Sequence, residues 1–176
     1  MICPSCGYLN LAGADFCESC ENSLTDVELT SRPATVLEES IQSDRVSALD
    51  PAAPIAVEPS TTLRDVIRLL ADHNIGCVLV VFGGAPVGIF SERDALMRIG
   101  DRLDELADHP IRHFMTPAPE MLAPDDSVAL ALNRMAVGDF RHVPVEAGER
   151  TVGIISVRDV LRYTTQQFSE ILTPDY

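Results

Sequence analysis

Two groups of residues in this chain have types and spacings that suit chemistry. The first is a pair of C-x-x-C steps, Cys3-Pro-Ser-Cys6 and Cys17-Glu-Ser-Cys20, ten residues apart. Tetrahedral zinc takes four thiolates at about 2.3 Å, and two tight turns each present two sulfurs to one side. Two disulfides would need an oxidising compartment, for which the sequence carries no signal. A redox pair would need a βαβ unit around it, which residues 1–24 are too few to build. The spacing therefore assigns Cys3, Cys6, Cys17 and Cys20 to a structural zinc site, closed by four ligands with no position left for a reactive water. The fifth cysteine, Cys77, stands alone in an apolar run and reads as a buried thiol.

The second group is a duplicated motif. Val87-Gly88-Ile89-Phe90-Ser91-Glu92-Arg93-Asp94 is repeated as Val152-Gly153-Ile154-Ile155-Ser156-Val157-Arg158-Asp159, an offset of 65 residues from Ser91 to Ser156. A carboxylate accepts hydrogen bonds from two vicinal hydroxyls. The free N–H groups and dipole at a helix start favour a phosphate, and Gly88 and Gly153 would let a ligand approach the backbone closely. Ser-x-x-Asp is equally an ordinary capping box, worth about 1 kcal/mol with no ligand involved. The two roles are compatible.

The elements that must position these residues repeat with the same offset. Without any gap, Pro59 meets Pro124, Thr62 meets Ser127, Ala71 meets Ala136, Val80 meets Val145 and Gly83 meets Gly148. Such self-similarity marks an internal duplication. Each copy reads β-α-β-β-α. A short extended piece (Ile55–Val57; Glu120–Leu122) precedes a helix capped by Thr62 or Ser127. The apolar stripes are Leu63, Val66, Ile67, Leu70, Ala71 and Val128, Ala131, Leu132, Met135, Ala136, each on one face of a 3.6-residue helix. A hairpin follows, Cys77–Phe82 with Pro86–Phe90 and His142–Glu146 with Thr151–Ile155. A closing helix starts after Ser91 or Ser156. The expected fold class is α+β: a zinc unit at 1–24, a polar linker at 25–45 with a short helix near Val36–Ile41, and repeats at 46–110 and 111–170. A connector, Asp101–Arg112, carries a short helix around Leu103–Leu106. One copy of about fifty residues cannot cover its own sheet, so the copies should pack together and leave a cleft at their junction.

Charge narrows the partners. The net charge is −14, every cation is Arg, and residues 1–45 carry eight acidic side chains against Arg32 and Arg45. That field repels a phosphate backbone, which argues against nucleic-acid binding. No apolar run approaches the roughly 18 residues of a membrane span, and the start is unlike a secretory signal. A cytoplasmic protein is the expectation.

The duplicated strand–helix motif, with Phe114-Met115-Thr116-Pro117 and Phe140-Arg141-His142-Val143-Pro144-Val145, resembles the CBS domain family, named for cystathionine β-synthase. The resemblance covers Val46 to about Phe168. It implies an intramolecular pair that binds an adenosine ligand (AMP, ADP, ATP, NAD or S-adenosylmethionine) between its repeats and regulates a protein partner. Residue by residue it assigns ribose to Asp94 and Asp159, and ribose or the first phosphate to Ser91 and Ser156. Arg93 and Arg158 would reach phosphate, or else be solvated helix residues. Thr116 and Pro117 would line an adenine pocket, and Arg141, His142 and Pro144 would face phosphate or adenine. His142 reads equally as a packed side chain. The second copy keeps more of this pattern; at the matching places the first has Pro51, Ala52, Gly76, Cys77 and Leu79. The expected better site is therefore Asp159 with Ser156, Thr116 and Arg141. The resemblance also implies a homodimer.

Residues 1–20 are similar to short zinc ribbons at the ends of many cytoplasmic bacterial and archaeal proteins, with Glu21 standing where those have Gly. No catalytic triad, paired-carboxylate motif or Gly-rich phosphate loop is present, so a regulatory binding protein is expected rather than an enzyme. The alternative is a structural adaptor that binds no ligand and docks through the ribbon.

Overall fold

The computed structural model of the chain describes residues 3, 6–11, 14–24, 36–148 and 150–172. Residues 25–35 of the expected linker, and Pro4 and Ser5 of the first knuckle, lie outside them.

The amphipathic stripes form helices where the pattern places them. Helix α2 (Leu63–Asp72) starts at Thr62, whose side chain accepts the Asp65 N–H, and α5 (Val128–Gly138) starts at Ser127, which accepts the Leu130 N–H. Leu63, Val66 and Leu70 are buried on the first, and Val128, Ala131 and Met135 on the second. The final stripe positions, Ala71 and Ala136, are exposed in both. Each helix covers a strand pair: β2 (Cys77–Phe82) with β3 (Ala85–Ser91), and β5 (His142–Ala147) with β6 (Arg150–Ser156). Gly83 and Gly148 take positive φ (60° and 67°) in the hairpin turns, a conformation glycine adopts without strain.

The outer strands are exchanged between the copies. β1 (Ala56–Val57) runs parallel to β2, and Leu122 bridges Val145 in the same sense, so the piece expected at 120–122 is reduced to one bridge. On the opposite edge, β4 (Thr116–Pro117), which opens the second repeat, pairs with Ile89 and Gly88 of the first. Ala52, near the start of the first repeat, pairs with Ile154 of the second through reciprocal bonds of 3.0 and 2.8 Å.

Core membership follows this exchange. One core joins Val57, Leu63, Val66, Val78, Val80 and Phe90 to Ile111, with Phe114 and Met115 packed against it. The other joins Val128, Met135, Val143, Val145, Ile155 and Tyr163 to Val46 and Leu49, with Ile41 against it. A buried side chain of this size contributes about 1.5–3 kcal/mol, so each lead-in segment is anchored in the opposite half. Ile41 lies on helix α1 (Val36–Ser43), which packs on α5 and α6 (Val157–Leu172), and Asp44 accepts the Tyr163 hydroxyl. Its counterpart, helix α4 (Leu103–Leu106), lays Leu103 and Leu106 on the first core.

The closing helices differ. α6 is continuous over 16 residues. Its counterpart α3 (Glu92–Asp94) passes at once into a π-helical stretch, Ala95–Ile99. A π turn holds one extra residue, so the side chains after Asp94 are rephased.

Candidate functional site

A cleft of about 200 Å³ opens at the junction of the repeats. The second repeat contributes Ser156, Arg158 and Asp159 at the start of α6, with His142 and Ile154 from the strands. The first contributes Ala52 to Ile55 from its lead-in and Ile75, Gly76 and Cys77 from the approach to β2.

The carboxylate here is also a cap. One Asp159 oxygen accepts from the Ser156 N–H and hydroxyl, both at 2.7 Å, and the other accepts from Arg162 at 2.8 Å. A carboxylate offers about four lone-pair positions, so one on the Arg162 side stays open. Arg158 lines the cleft and forms no ion pair with a described residue. His142 is held below its ordinary value of 6.5, first by burial and then by Arg158 and Arg141, against the pull of Glu92 and Asp159. It is therefore neutral at pH 7. A Cβ on Gly76 would collide with the His142 ring, so the bare backbone at Gly76 leaves room for the imidazole. At the matching place in the first repeat, Cys77 is buried and its thiol is pushed up to about 12 by burial and by Glu92 and Asp94.

The Asp94 side has the same cap and different surroundings. Ser91 donates to one Asp94 oxygen through N–H (2.9 Å) and hydroxyl (2.7 Å). Arg98 reaches the other oxygen at 3.3 Å and also donates to the Phe114 carbonyl (2.9 Å) and Thr116 Oγ1 (3.1 Å). Arg93 is committed as well: it forks onto both carboxylate oxygens of Asp139 (2.8 and 2.7 Å) and its carbonyl (2.7 Å). That fork holds the Asp139 carboxyl below its ordinary range.

The expected grouping therefore needs correction. Thr116 and Pro117 do not join Asp159; the strand exchange carries them to Gly88 and Ile89, beside Asp94. Arg141 also departs from the Asp159 cleft and lines a separate hollow with Arg93, Asp139 and Phe140. Pro144 is buried inside β5 and is not among the lining residues of either hollow. Gly88 and Gly153 face protein rather than open space, since a Cβ would strike Met115 on the first and the Pro51 ring on the second. His142, Ser156, Arg158 and Asp159 do come together. Ala52–Ile55, Ile75, Gly76 and Cys77 complete their cleft; Ala52, Gly76 and Cys77 were expected to serve the first copy's own site and the others were missed, because each segment was assigned to its own repeat.

These two motif halves and the exchanged sheet are matched by the CBS domain family over residues 46–101 and 111–165. The chain belongs to the CBS domain family. A mitochondrial CBS domain-containing protein of Arabidopsis thaliana is 25% identical over 155 residues, covering 81% of this chain and 75% of the plant protein. A solved CBS-domain protein of Agrobacterium tumefaciens is 29% identical with a TM-score of 0.62, over 67% of this chain and 96% of that one. A CBS domain protein of Pyrobaculum aerophilum, solved in complex with AMP, is 28% identical with a TM-score of 0.61, over 71% of this chain and 98% of its own. The tandem CBS pair is thus an α+β unit, and no helix among the described residues is long and apolar enough to cross a membrane.

Outside the pair, the Sγ atoms of Cys3, Cys6, Cys17 and Cys20 all lie within 4.8 Å of one another. The pairs Cys3–Cys20 and Cys6–Cys17 are 3.7 and 3.4 Å apart, far beyond a disulfide bond. Four sulfurs at about 2.3 Å from one tetrahedral ion would be about 3.8 Å apart, so the cluster fits zinc. Gly7 and Glu21 hold the same place after each knuckle, both with positive φ (71° and 58°) and an N–H bonded back to Cys3 or Cys17 at 2.9 Å. The glycine missing from the second knuckle is replaced by a strained glutamate, and the turn is kept.

Proposed function

We propose that this chain is a regulatory module that binds an adenosine ligand in the Asp159 cleft and passes its occupancy to a protein partner. The observation that carries this reading is the cleft itself. It sets an incompletely used carboxylate, a hydroxyl and a guanidinium that has no ion pair among the described residues at one helix start, against an apolar wall. Asp159 would accept a ribose hydroxyl, Ser156 would sit beside the ribose or first phosphate, and Arg158 would meet phosphate. Ala53, Pro54, Ile55, Ile75 and Ile154 offer a surface of the kind a purine ring stacks on. The AMP complex of the Pyrobaculum relative supports the ligand class. Calorimetry with AMP, ATP, NAD and S-adenosylmethionine tests it, with mass spectrometry of any nucleotide that copurifies. Binding of at least one, weakened about tenfold or more in Asp159→Ala, is expected; no binding by any of them refutes the reading.

One observation favours the second reading, a structural adaptor. Both Ser–Asp pairs are already bonded as caps. On that reading, no nucleotide would raise the melting temperature, whereas ligand binding must raise it.

The cysteine cluster is proposed to hold one structural zinc ion. Zinc would fix the two turns by ligating Cys3, Cys6, Cys17 and Cys20, and metal analysis should find one per chain, lost with Cys6→Ser. A homodimer through the CBS pair is also proposed. Leu96 and Leu161, at equal repeat positions, are 74% and 62% exposed, as a covered face in a dimer would require. Light scattering should give twice the chain mass, reduced by Leu96→Glu with Leu161→Glu.

A further inference from the structure

We propose that Arg98 is a built-in occupant of the Asp94 side, so that the chain takes one adenosine ligand and not two. The proposal rests on the reading of the Asp159 cleft above. By symmetry of the fold, the Asp94 side should be the better furnished of the two. It has the same Ser–Asp pair, and the exchange delivers Thr116 and Pro117 to it. Yet its polar groups are joined to one another. The Arg98 guanidinium bonds Asp94, the Phe114 carbonyl and Thr116 Oγ1 together, and so stands between the carboxylate and the lead-in segment. Those are the two walls between which a nucleoside would have to enter.

The cause is local: the next arginine falls at a different place after the motif in each repeat. In the regular helix α6, Arg162 lies three residues after Asp159 and, among the described residues, bonds that carboxylate alone. In the first repeat the arginine stands four residues after Asp94, a spacing that also faces the carboxylate on a helix, and Tyr163 holds that place in the second. From that place Arg98 also reaches the Phe114 carbonyl and Thr116 Oγ1 of β4. Arg93 cannot replace it for a phosphate, because its fork is filled by Asp139.

A ligand entering here must first break charge-assisted bonds that each carry about a tenfold or larger preference. Arg98 has a half-exposed side chain, so its removal opens no core cavity.

The test is AMP stoichiometry on the full chain by calorimetry and native mass spectrometry, comparing wild type with Arg98→Met and Arg98→Gln. Wild type should bind one AMP. Either folded variant, checked by its melting curve, should bind two, and adding Asp94→Ala should return the count to one. Two AMP on wild type, or one on both folded variants, overturns the proposal while leaving the cleft reading intact. If AMP binds none of the three proteins, the same count is made with ATP, NAD and S-adenosylmethionine, and no binding by any of them removes the cleft reading and the proposal with it.

Discussion

The two halves of the pair are built on one pattern, yet they use the same carboxylate differently. Around Asp159 the neighbouring arginine, Arg162, bonds the carboxylate and no other described residue, and Arg158 lines the cleft. Around Asp94, Arg98 ties the carboxylate to the other repeat's lead-in, and Arg93 is spent on Asp139. A motif identical in its Ser and Asp is thus open in one half and closed in the other. What decides between them is where the next arginine falls after the motif, three residues on or four, and the partner of Arg93, Asp139, neither of which lies within the motif.

The largest expected consequence is in binding. Asp159→Ala should weaken the adenosine ligand by about tenfold to a hundredfold, the range of one or two hydrogen bonds to a charged group. Asp94→Ala should change it by less than threefold. Both lose a cap worth about 1 kcal/mol, so equal losses of melting temperature beside unequal losses of affinity would sharpen the contrast. Equal losses of affinity would break it.

Packing against the exchanged segments gives the next effect. A methyl on Gly153 meets the rigid Pro51 ring and its backbone, with the Pro51 carbonyl at 3.2 Å. On Gly88 it meets the flexible end of Met115. Gly153→Ala should therefore cost about 2 kcal/mol, within the range for overpacking, and Gly88→Ala less than about 1 kcal/mol. Urea unfolding of the two variants measures the difference, and similar costs would show that the two lead-ins are seated alike.

A pH dependence separates the matched positions His142 and Cys77. The folded-state value of His142 lies below 6.5, chiefly through burial. Above 6.5 both folded and unfolded chains hold it neutral. As pH falls below 6.5 the unfolded chain takes the proton first, so stability falls until the folded-state value is passed. Cys77, with its thiol near 12, contributes nothing in that range. Melting temperature between pH 7 and 5 should fall less steeply in His142→Gln than in wild type, and unchanged in Cys77→Ala. An unaltered slope in His142→Gln would contradict the burial of a neutral ring.

Much of this architecture was legible in the sequence because it rests on periodicity. The caps Thr62 and Ser127, the stripes of α2 and α5, both hairpins and the connector helix Leu103–Leu106 follow from local pattern. The pairing of Thr116 with Ile89, and of Ala52 with Ile154, does not. Two short strands of equal apolar character satisfy either sheet edge equally well in sequence, and only the crossing of the chain between cores decides. The fold was therefore readable while the membership of each cleft was not. The π stretch escaped notice for a related reason: the ungapped match at the 65-residue offset runs on to Arg98 although the helix there carries an extra residue in its turn.

The smallest expected effect concerns the helices that the two halves share most closely. Thr62 accepts the Asp65 N–H and also donates to the Asp65 carboxylate at 2.7 Å, whereas Ser127 accepts the Leu130 N–H without such a return bond. Replacing either cap by alanine leaves one helix-start N–H without its side-chain acceptor, a loss of about 1 kcal/mol. The Thr62–Asp65 bond is exposed to water, which repays most of what its loss removes. Thr62→Ala and Ser127→Ala should thus agree within about 0.5 kcal/mol in urea unfolding, because here the halves differ only in a solvated contact. A much larger loss for Thr62→Ala would mean that the Thr62–Asp65 bond is worth more than its exposure allows, since both caps are bridged alike, Thr62 to Pro110 and Ser127 to Arg45.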